Sequence, residues 1–416
     1  MKNYNIILPN SSDNTYEQII NKDHMNVIKD HKQFQNKLNI KLNSELEQLP
    51  QMYWMPKVHK TPIGKRFIIA SKQSSLKPLS ENITEAFKII FRSVNSFYDK
   101  RQIFTRKKCF WVTQNNGNII NRLERLNKRS GAKSISTFDF STLYTKIPHV
   151  KLIDVIDKII DFTFNSDNRK YICVNHSGAN WSSKAKDRSY NKESFKKALK
   201  YLINNSYFQV GSLLFRQIIG IPMGSNPAPF LANLFLFHYE MEWINKIDSK
   251  RARKLSYTFR YIDDLITLND DQEFEKTFKD IYPTELVLKK ENVSNLHATF
   301  LDLNIKIVDK KFEYNLYDKR DTYNFFIVRF PYRSANLPSK MFYSTIGAET
   351  LRICRATSKY EHFLKSLNPF FSRMNKQGSK NNDMIRVLNK VLNKNKQQFS
   401  KYGVSNKQIS NDIFST

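Results

Sequence analysis

One segment, KLSYTFRYIDDLITL, restricts the possible fold more than any other part of this chain. Its apolar side chains alternate from Leu255 to Tyr261 and resume at Leu265, and a period of two predicts a β-strand on each side. Asp263 and Asp264 therefore lie at the tight end of a predicted β-hairpin, where two acids are placed to bind a metal ion. Aspartate is also an ordinary turn residue, so the pair alone leaves a purely structural role open.

A third acid lies at the end of another predicted strand. In SISTFDFSTLYTKIP, the side chains of Ile135, Thr137 and Asp139 point to one side of a strand that ends before Pro148. Two divalent cations about 4 Å apart need several hard oxygen ligands, which three carboxylates and one backbone carbonyl supply. The sequence therefore predicts a site for two Mg²⁺ ions, with Mn²⁺ as the expected substitute.

Strand and helix patterns are mixed along the chain and both hairpins come late, which predicts an α+β fold. Alternation over 299–308 predicts one strand with Leu301, Leu303, Ile305 and Ile307 on one face, and 312–316 is its expected hairpin partner. The polar first 50 residues show weak helical patterns at 17–28 and 38–49. The other predicted elements are strands at 67–70, 134–140, 207–211 and 212–217, and helices at 79–98, 118–128, 150–164, 194–205 and 230–244.

Four segments in this order, FDFSTLYTKIP, GIPMGSNPAPFLANLF, RYIDDL and FLDLNI, resemble the palm motifs of reverse transcriptases. The resemblance is greatest to the Penelope-like retroelements, relatives of telomerase catalytic subunits, and it extends from about Pro50 to about Cys354. It implies a right-hand polymerase fold with fingers, a palm that carries an antiparallel sheet, and a helical thumb. The implied regions are an N-terminal extension of unassigned role (1–49), fingers (50–133), palm (134–317, with an insertion at 165–192 and a fingers-like helix at 194–205) and a basic thumb (318–416).

The resemblance implies an RNA-directed DNA polymerase of a retroelement, which extends a DNA primer on an RNA template with dNTPs. Asp139 and Asp263 would be bridging metal ligands, Asp264 a partner acid, and the Phe140 carbonyl would complete one coordination shell. The resemblance assigns primer positioning to three further residues, Tyr261, Phe300 and Leu301.

The nucleotide pocket is assigned through the same resemblance. Tyr144 is the aromatic residue that would lie against the sugar and exclude a ribose 2′-hydroxyl, although a core tyrosine is the alternative. The turn GIPMGSNP resembles the loop that lines the incoming base pair, where a side chain at a glycine would intrude. The structural alternative for the same turn is that it only ends a strand and begins a helix. The candidate residues of this turn are Gly220, Pro222, Met223 and Gly224.

Cationic side chains are needed to hold a triphosphate and its leaving group. PKVHKTPIGKRFIIAS resembles the fingers hairpin, in which Lys57 and Arg66 would contact the phosphates, the arginine through its planar fork. Lys289 and Lys290 precede the FLDLNI segment, where one of them would protonate the leaving pyrophosphate as a general acid. A solvated surface charge is the alternative at either lysine.

The formal net charge of +30 and the spread of basic residues along the chain predict a polyanionic partner. The three cysteines form no CxxC pair, which predicts free thiols in a reducing compartment. No apolar run reaches the roughly 18 residues of a membrane span, so a soluble, intracellular protein is expected, with a nuclear location and without membrane partners. The sequence predicts no GIY-YIG endonuclease, and it leaves the oligomeric state open.

Two other functions compete with reverse transcription. An RNA-directed RNA polymerase also uses palm aspartates, and relative incorporation of dNTPs and rNTPs separates the two enzymes. A catalytically inactive or domesticated nucleic-acid-binding scaffold would keep the fold and lose synthesis. All three aspartates are present in this chain, which favours an enzyme.

Overall fold

The computed structural model describes residues 15–41, 47–58, 62–166, 169–323, 325 and 327–414. Their contacts divide the chain into two compact units. The first holds the described residues up to Val112 together with Asp139–Ser256 and Gln272–Lys289. The second holds Thr113–Phe138, Tyr257–Asp271 and the described residues from Lys290 onward.

Helices and strands are both abundant, as the sequence predicts. The strands are β1 (Tyr16–Gln18), β2 (Gln51–Lys57), β3 (Gly64–Ala70), β4 (Ile135–Phe140), β5 (Tyr171–Asn175), β6 (Gly178–Ser182), β7 (Ser189–Tyr190), β8 (Tyr207–Val210), β9 (Leu213–Gln217), β10 (Thr258–Tyr261), β11 (Asp264–Leu268), β12 (Leu288–Lys290), β13 (His297–Phe300), β14 (Leu303–Val308) and β15 (Lys311–Leu316). The α-helices are α1 (His24–Lys37), α2 (Lys77–Thr105), α3 (Gly117–Arg129), α4 (Leu143–Lys146), α5 (His149–Asn165), α6 (Lys192–Asn204), α7 (Ala228–Lys246), α8 (Ser249–Lys254), α9 (Glu273–Ile281), α10 (Ser339–Arg355), α11 (Tyr360–Lys376), α12 (Asn381–Lys394), α13 (Lys396–Phe399) and α14 (Asn406–Phe414).

The first unit has its helical core around α2, a helix of 29 residues. Pro78 lies in the first turn, where a missing N–H leaves no intrahelical bond unmade. Buried Phe87, Ile90 and Val94 recur every three or four residues and so form one face. This face packs against α5, α6 and α7, and the rings of Phe87 and Phe195 meet edge to face with centroids 5.5 Å apart.

A five-stranded sheet in the first unit has the order β1-β9-β8-β2-β3. The helical pattern predicted over 17–28 is wrong at its start, because Tyr16–Gln18 pairs with β9 as an edge strand and Glu17 contacts Arg216 at 2.7 Å. Residues 42–46 of the second pattern, 38–49, lie outside the described residues, and its described residues are not helical. β2 was not predicted, and it forms a long antiparallel hairpin with β3.

The insertion predicted at 165–192 forms a small sheet of its own, with the order β6-β5-β7. β5 and β6 form an antiparallel hairpin, and the two residues of β7 pair with the other edge of β5. Trp181 on β6 attaches this sheet to α2, because its indole N–H donates to the Ser93 hydroxyl at 3.1 Å. The insertion is therefore an ordered part of the first unit.

The second unit contains the predicted acidic hairpin and the FLDLNI segment. One sheet has the order β10-β11-β4-β12, and β4 and β12 contribute residues to both units. A second sheet has the order β13-β14-β15. Their inner faces share one core with the amphipathic helix α3, in which Ile135, Phe259, Ile266, Phe300 and Phe312 are all buried.

The single strand predicted over 299–308 is wrong. The chain turns at Leu301 and Asp302, and Phe300 pairs with Leu303 across a tight hairpin between β13 and β14. Leu301 has a φ of 56°, which strand backbone does not adopt. Alternation of Leu301 with Leu303 and Ile305 concealed this turn, although Asp302 is a residue type that favours turns.

The C-terminal part of the second unit is helical, as predicted. Helices α10 to α14 enclose a separate apolar core. Met384, Leu388 and Leu392 on α12 are buried in it, so α12 is an amphipathic helix. In the described part of the chain, no helix has both the length and the apolar character to cross a lipid bilayer. The assignment of the regions as fingers, palm and thumb stays a prediction.

Candidate active site

The acidic hairpin has the geometry that the sequence predicts. Tyr261 pairs with Asp264, so Ile262 and Asp263 are the two turn residues between β10 and β11. Ile262 has a φ of 57°, in a region that β-branched residues rarely adopt and that glycine normally occupies in such turns. A conformation of this kind costs about 1–3 kcal/mol and is found most often at functional sites. The strain therefore falls on the residue that precedes the two aspartates.

A buried arginine holds this strained turn. Arg260 has no exposed surface, and its Nη1 donates to the Ile262 carbonyl at 3.0 Å. Its own carbonyl accepts the Thr113 N–H at 2.8 Å. A buried guanidinium must be satisfied by acceptors, so Arg260 fixes the turn backbone. Arg260 was not predicted as a site residue, although an arginine within an alternating apolar strand is visible in the sequence.

Asp139 is the next-to-last residue of β4, which neighbours β11 in the sheet. Asn269 directly follows β11, and Ser134 directly precedes β4. The Asn269 N–H donates to the Ser134 carbonyl at 3.0 Å. The two strands are therefore antiparallel, and counting along both places Phe138 opposite Leu265 within the second unit. Asp139 and Phe140 come next along the chain, in the first unit.

The chemistry of these donors fits a hard divalent cation, because carboxylate and carbonyl oxygens are the ligands that Mg²⁺ prefers. Asp139, Asp263 and Asp264 are all half-buried, and each lies at a strand end or in a turn. Across the described residues, however, no three aspartate, glutamate, histidine or cysteine side chains are already grouped so as to hold a metal ion. The structure thus brings Asp263 and Asp264 together, and the shared site with Asp139 stays a prediction.

The glycine-rich turn of the first unit is bonded to the segment that carries Tyr144. The Ile221 N–H donates to the Tyr144 carbonyl at 2.7 Å, and the Gly220 N–H donates to the Ile147 carbonyl at 2.7 Å. Gly220 has a φ of 89°, and a Cβ there would lie 2.3 Å from the Tyr144 carbonyl oxygen. Burial lowers the pKa of His149, whose ring nitrogen lies 2.8 Å from the Gly220 carbonyl, so a neutral imidazole donates this bond.

The other end of the same turn is bonded to β3. The Ile69 N–H donates to the Met223 carbonyl at 3.0 Å, and the Ser71 hydroxyl donates to the Gly224 carbonyl at 2.5 Å. A Cβ on Gly224 would lie 2.3 Å from the Ile69 carbonyl oxygen. Within the turn, the Pro222 carbonyl accepts the Ser225 N–H at 3.0 Å. The turn therefore joins Tyr144 to β3, and both glycines are required by close backbone contacts.

The predicted phosphate-binding residues lie on the β2–β3 hairpin. Arg66 is exposed on β3 opposite Met55, three residues before the Ile69 that contacts the glycine-rich turn. Lys57 ends β2 opposite Gly64 and is half-buried. The structure thus gathers Tyr144, the turn and β3 into one region of the first unit, and Arg66 lies on one of its strands.

The two candidate general acids differ in their surroundings. Lys289 is exposed on β12, whereas Lys290 is half-buried and its ammonium lies 2.9 Å from the Asn295 side-chain oxygen. A lysine engaged in this way is held in place, while Lys289 extends into solvent. The general-acid role of either residue stays a prediction.

Of the primer-positioning candidates, Tyr261 closes the acidic hairpin and is half-buried. The Phe300 side chain is buried in the core of the second unit, so only its backbone is available to another molecule. Leu301 is half-buried at the tip of the β13–β14 turn. The Tyr317 N–H braces this turn by donating to the Asp302 carbonyl at 2.9 Å.

An ionic network connects the same turn to helix α10. The Asp302 carboxylate accepts a hydrogen bond from Asn116 Nδ2 and lies 3.4 Å from Arg352 Nε. Glu349 on α10 contacts Arg352 at 2.7 Å and Arg329 at 3.1 Å. Residue types alone do not reveal this network, because Asp302 lies 186 positions from Asn116 in the chain and 50 positions from Arg352, and only folding brings them together.

Loss of the shared acid should destabilise the second unit. Glu349→Gln leaves two half-buried guanidinium groups without their common carboxylate, and we expect the free energy of unfolding to fall by about 2 kcal/mol. Urea denaturation measures the change. Glu81→Gln is the matched control, since Glu81 is exposed in its i,i+4 ion pair with Lys77 and loss of this pair should cost less than about 0.5 kcal/mol. Equal losses in the two variants would show that the network adds no stability.

Comparison with known proteins gives a likeness of fold alone. No protein-family model matches the chain, and no curated protein matches its sequence. The fold is similar to that of telomerase from Candida albicans in complex with a TWJ fragment of telomeric RNA, with a TM-score of 0.56, 11% identity, and coverage of 92% of this chain and 67% of that one. Apo telomerase from Candida tropicalis gives a TM-score of 0.48 at 12% identity over 96% of this chain and 68% of that one. The likeness to the Candida albicans structure gives this chain a telomerase-like fold. The chain spans about two thirds of the length of both telomerase chains.

Proposed function

We propose that this chain is an RNA-directed DNA polymerase of a retroelement, of the Penelope-like group, which extends a DNA primer on an RNA template. The telomerase-like fold supports a polymerase of the reverse-transcriptase type. The observation that carries the proposal is the antiparallel register of β4 and β11, fixed by the bond between Asn269 and Ser134. A nuclear location is part of the same proposal.

The register leads directly to the proposed site. Within the second unit the register ends with Phe138 opposite Leu265, and along the chain Asp139 follows Phe138 while Asp264 precedes Leu265. The described side chains do not already form a metal-binding group, so recruitment of the ions to Asp139, Asp263 and Asp264 is part of the proposal. The rigid turn held by Arg260 keeps two of these aspartates in place for this step.

Asp139, Asp263, Asp264 and the Phe140 carbonyl would hold two Mg²⁺ ions, or Mn²⁺ in their place. When bound, the ions would activate the primer 3′-hydroxyl and neutralise the charge of the leaving pyrophosphate. The residues of the chain have separate tasks. The three aspartates supply the carboxylate oxygens for the ions. The turns that contain Tyr261 and Leu301 position the primer end. Lys289 or Lys290 provides a proton to the leaving group.

The nucleotide would occupy the region that joins Tyr144, the glycine-rich turn and β3. Lys57 and Arg66 would contact its phosphates, and the backbone of Gly220 to Gly224 would lie against the new base pair. The close contacts of both glycines with Tyr144 and Ile69 support this arrangement, since a pocket of fixed shape can discriminate between similar substrates.

Primer extension tests the proposed function. Purified protein is given a DNA primer annealed to an RNA template, Mg²⁺ and dNTPs, and we expect products whose sequence follows the template. Faster extension with rNTPs than with dNTPs would identify an RNA polymerase instead. If folded protein gives no product with either set of nucleotides, in Mg²⁺ or in Mn²⁺, the result would contradict the polymerase and would support the catalytically inactive nucleic-acid-binding scaffold.

Sugar selection depends on Tyr144 in this proposal. Tyr144→Ala removes the ring that would exclude a ribose 2′-hydroxyl. A clash between this ring and the hydroxyl would cost about 1–3 kcal/mol, so we expect the preference for dNTPs over rNTPs to fall roughly 10- to 100-fold when the clash is removed. Single-nucleotide incorporation measures kcat/KM for each substrate. Tyr171→Ala, at a half-buried tyrosine of the insertion, is the control and should leave the ratio unchanged. An unchanged ratio in Tyr144→Ala would rule out the assigned role.

A further inference from the structure

Helix α7 carries a buried acid among apolar side chains. Glu240 has no exposed surface, and its helical neighbours Phe237 and Ile244 are buried as well. Burial of a carboxyl group costs free energy unless hydrogen-bond donors satisfy it. The Tyr282 hydroxyl is such a donor and lies 3.0 Å from Glu240 Oε1. An apolar side chain would fill the same space without this desolvation cost, so packing alone does not account for the acid.

The Tyr282 ring connects this acid to the end of β4. Tyr282 directly follows α9 and is buried. Its ring meets the ring of Phe140, the buried last residue of β4, with centroids 4.8 Å apart and an interplanar angle of 84°. Aromatic rings favour this edge-to-face arrangement because the positive edge of one ring faces the negative face of the other. The contact therefore fixes the position of the Phe140 side chain.

A second contact fixes the backbone that directly follows β4. The Ser141 N–H donates to the Val287 carbonyl at 3.1 Å, and the Ser141 hydroxyl lies 3.3 Å from the same oxygen. Val287 belongs to the short segment that Tyr282 begins, between α9 and β12. Within this segment the Leu286 N–H donates to the Pro283 carbonyl at 3.0 Å. One turn thus carries both the ring and the carbonyl that contact the end of β4.

These contacts set the direction of the Phe140 carbonyl. This carbonyl and the Ser141 N–H belong to one peptide group, which is planar and trans, so the two point in opposite directions. The N–H is directed at Val287. The Phe140 carbonyl is therefore directed away from Val287 and from β12, which begins at the next residue. All of the residues in these contacts belong to the first unit.

We propose that Tyr282, held by Glu240, is a positioning residue that orients the Phe140 carbonyl as a ligand for a divalent cation. The proposal rests on the proposed function, which assigns this carbonyl to a metal-coordination shell. The Tyr282 ring holds the Phe140 side chain, and the bond from Ser141 to Val287 orients the peptide group. Hard divalent cations accept carbonyl oxygens as ligands. A ligand that is already oriented loses less conformational freedom when the ion binds.

Binding of Mn²⁺ to the full-length protein, without nucleic acid or nucleotides, tests this role. The electron paramagnetic resonance signal of free Mn²⁺ gives the bound fraction, and binding that remains in Asp263→Asn is subtracted because it lies outside the acidic turn. Tyr282→Phe keeps the ring and removes its bond to Glu240, and we expect the Mn²⁺ affinity to fall about threefold. Tyr282→Leu also removes the ring contact with Phe140, and we expect a fall of about tenfold.

Tyr314→Phe is the matched control. Tyr314 is also a buried tyrosine whose hydroxyl donates to a glutamate, Glu124, at 2.8 Å, and it lies in the second unit. We expect this variant to lose about as much stability in urea as Tyr282→Phe, because each loses one hydrogen bond, and to bind Mn²⁺ like the wild type. Glu240→Gln keeps an oxygen that accepts the Tyr282 hydroxyl and should also bind like the wild type, whereas Glu240→Leu should resemble Tyr282→Phe.

The outcomes separate this role from the proposed polymerase. Primer extension by the wild type, with the same Mn²⁺ affinity in both Tyr282 variants as in Tyr314→Phe, would reject the positioning role and leave the polymerase. A loss confined to Tyr282→Leu would reject the role of Glu240. Weaker Mn²⁺ binding by both Tyr282 variants of a protein that extends no primer would support the positioning role and reject the enzyme.

A wild type that neither binds Mn²⁺ nor extends a primer would contradict both proposals. If the ions bind only together with the substrates, the Mg²⁺ concentration for half-maximal extension replaces the Mn²⁺ affinity. We expect this concentration to rise by the same factors in the two Tyr282 variants, and an equal concentration in these variants and in Tyr314→Phe would overturn the positioning role.

Discussion

Asp263→Asn is expected to reduce primer extension on the order of 1,000-fold. Removal of one carboxylate ligand takes away several kcal/mol of stabilisation from the transition state, and each 1.36 kcal/mol corresponds to a factor of ten in rate. Asparagine has nearly the same size as aspartate and is favoured in the same turns. The strained turn at Ile262 and the bond from Arg260 should therefore survive, and the loss should come from charge alone.

A comparison of two turn variants isolates that charge. Asp309→Asn makes the same chemical change at a two-residue turn of the second unit, between Val308 and Lys311, where Asp309 has a φ of 48°. We expect its extension rate to remain within about twofold of the wild type, as is usual for a surface change away from a functional site. Single-turnover extension gives both rates. If Asp263→Asn retained more than about a tenth of wild-type activity, the proposed role of Asp263 as a metal ligand would be wrong.

The sequence was sufficient for the features that depend on local pattern. The hairpin at Asp263 and the strand that ends in Phe140 were predicted because alternation with a period of two is set by the backbone alone. The start of the helix Lys77–Thr105 was predicted within two residues, since its buried face recurs with helical period over many turns, whereas its last seven residues lie beyond the predicted end at 98. Patterns of this length remain visible without knowledge of the tertiary fold.

Features that depend on distant contacts were missed or predicted wrongly. Tyr16–Gln18 has a polar composition without a strand pattern, and it is a strand because the edge of β9 offers it backbone partners. The turn at Leu301 was hidden by its apolar residues, and its bracing depends on Asp302 and Arg352. Neither contact can be deduced from neighbouring residues, since each joins segments that lie far apart in the sequence.

The features of the candidate site also fall into two groups, those predicted from the sequence and those that required the structure. Asp263 and Asp264 were predicted as candidates from their residue type and their place in a hairpin, and Gly220 and Gly224 were assigned through the resemblance of their turn to a reverse-transcriptase loop. The buried Arg260 that holds the acidic turn emerged only from the structure. What each glycine contacts also required coordinates, because the Tyr144 and Ile69 carbonyls lie against the turn only after folding.

Gly220→Ala is expected to lower the free energy of unfolding by about 3 kcal/mol or more. A Cβ at this position would lie 2.3 Å from the Tyr144 carbonyl oxygen and 2.9 Å from Thr145 Cα, both backbone atoms that cannot rotate away. Overpacking of this kind costs about 1–3 kcal/mol. The φ of 89° adds a further penalty, on the order of 1 kcal/mol, for any residue with a Cβ. Displacement of the Tyr144 carbonyl would also weaken the bond that it accepts from Ile221.

Gly178→Ala separates the energetic cost of the close contact from the cost of a side chain at positive φ. Gly178 lies in the same unit, has a φ of 135°, and its added Cβ would meet only the Glu85 carboxylate at 3.8 Å. We expect this control to lose about 1 kcal/mol, from the conformational penalty alone. Urea denaturation gives both values, and their difference measures how tightly the glycine-rich turn is held against Tyr144. If the two variants lost the same stability, the turn could move away from Tyr144 at little cost, and the rigid nucleotide pocket that sugar selection requires would not exist.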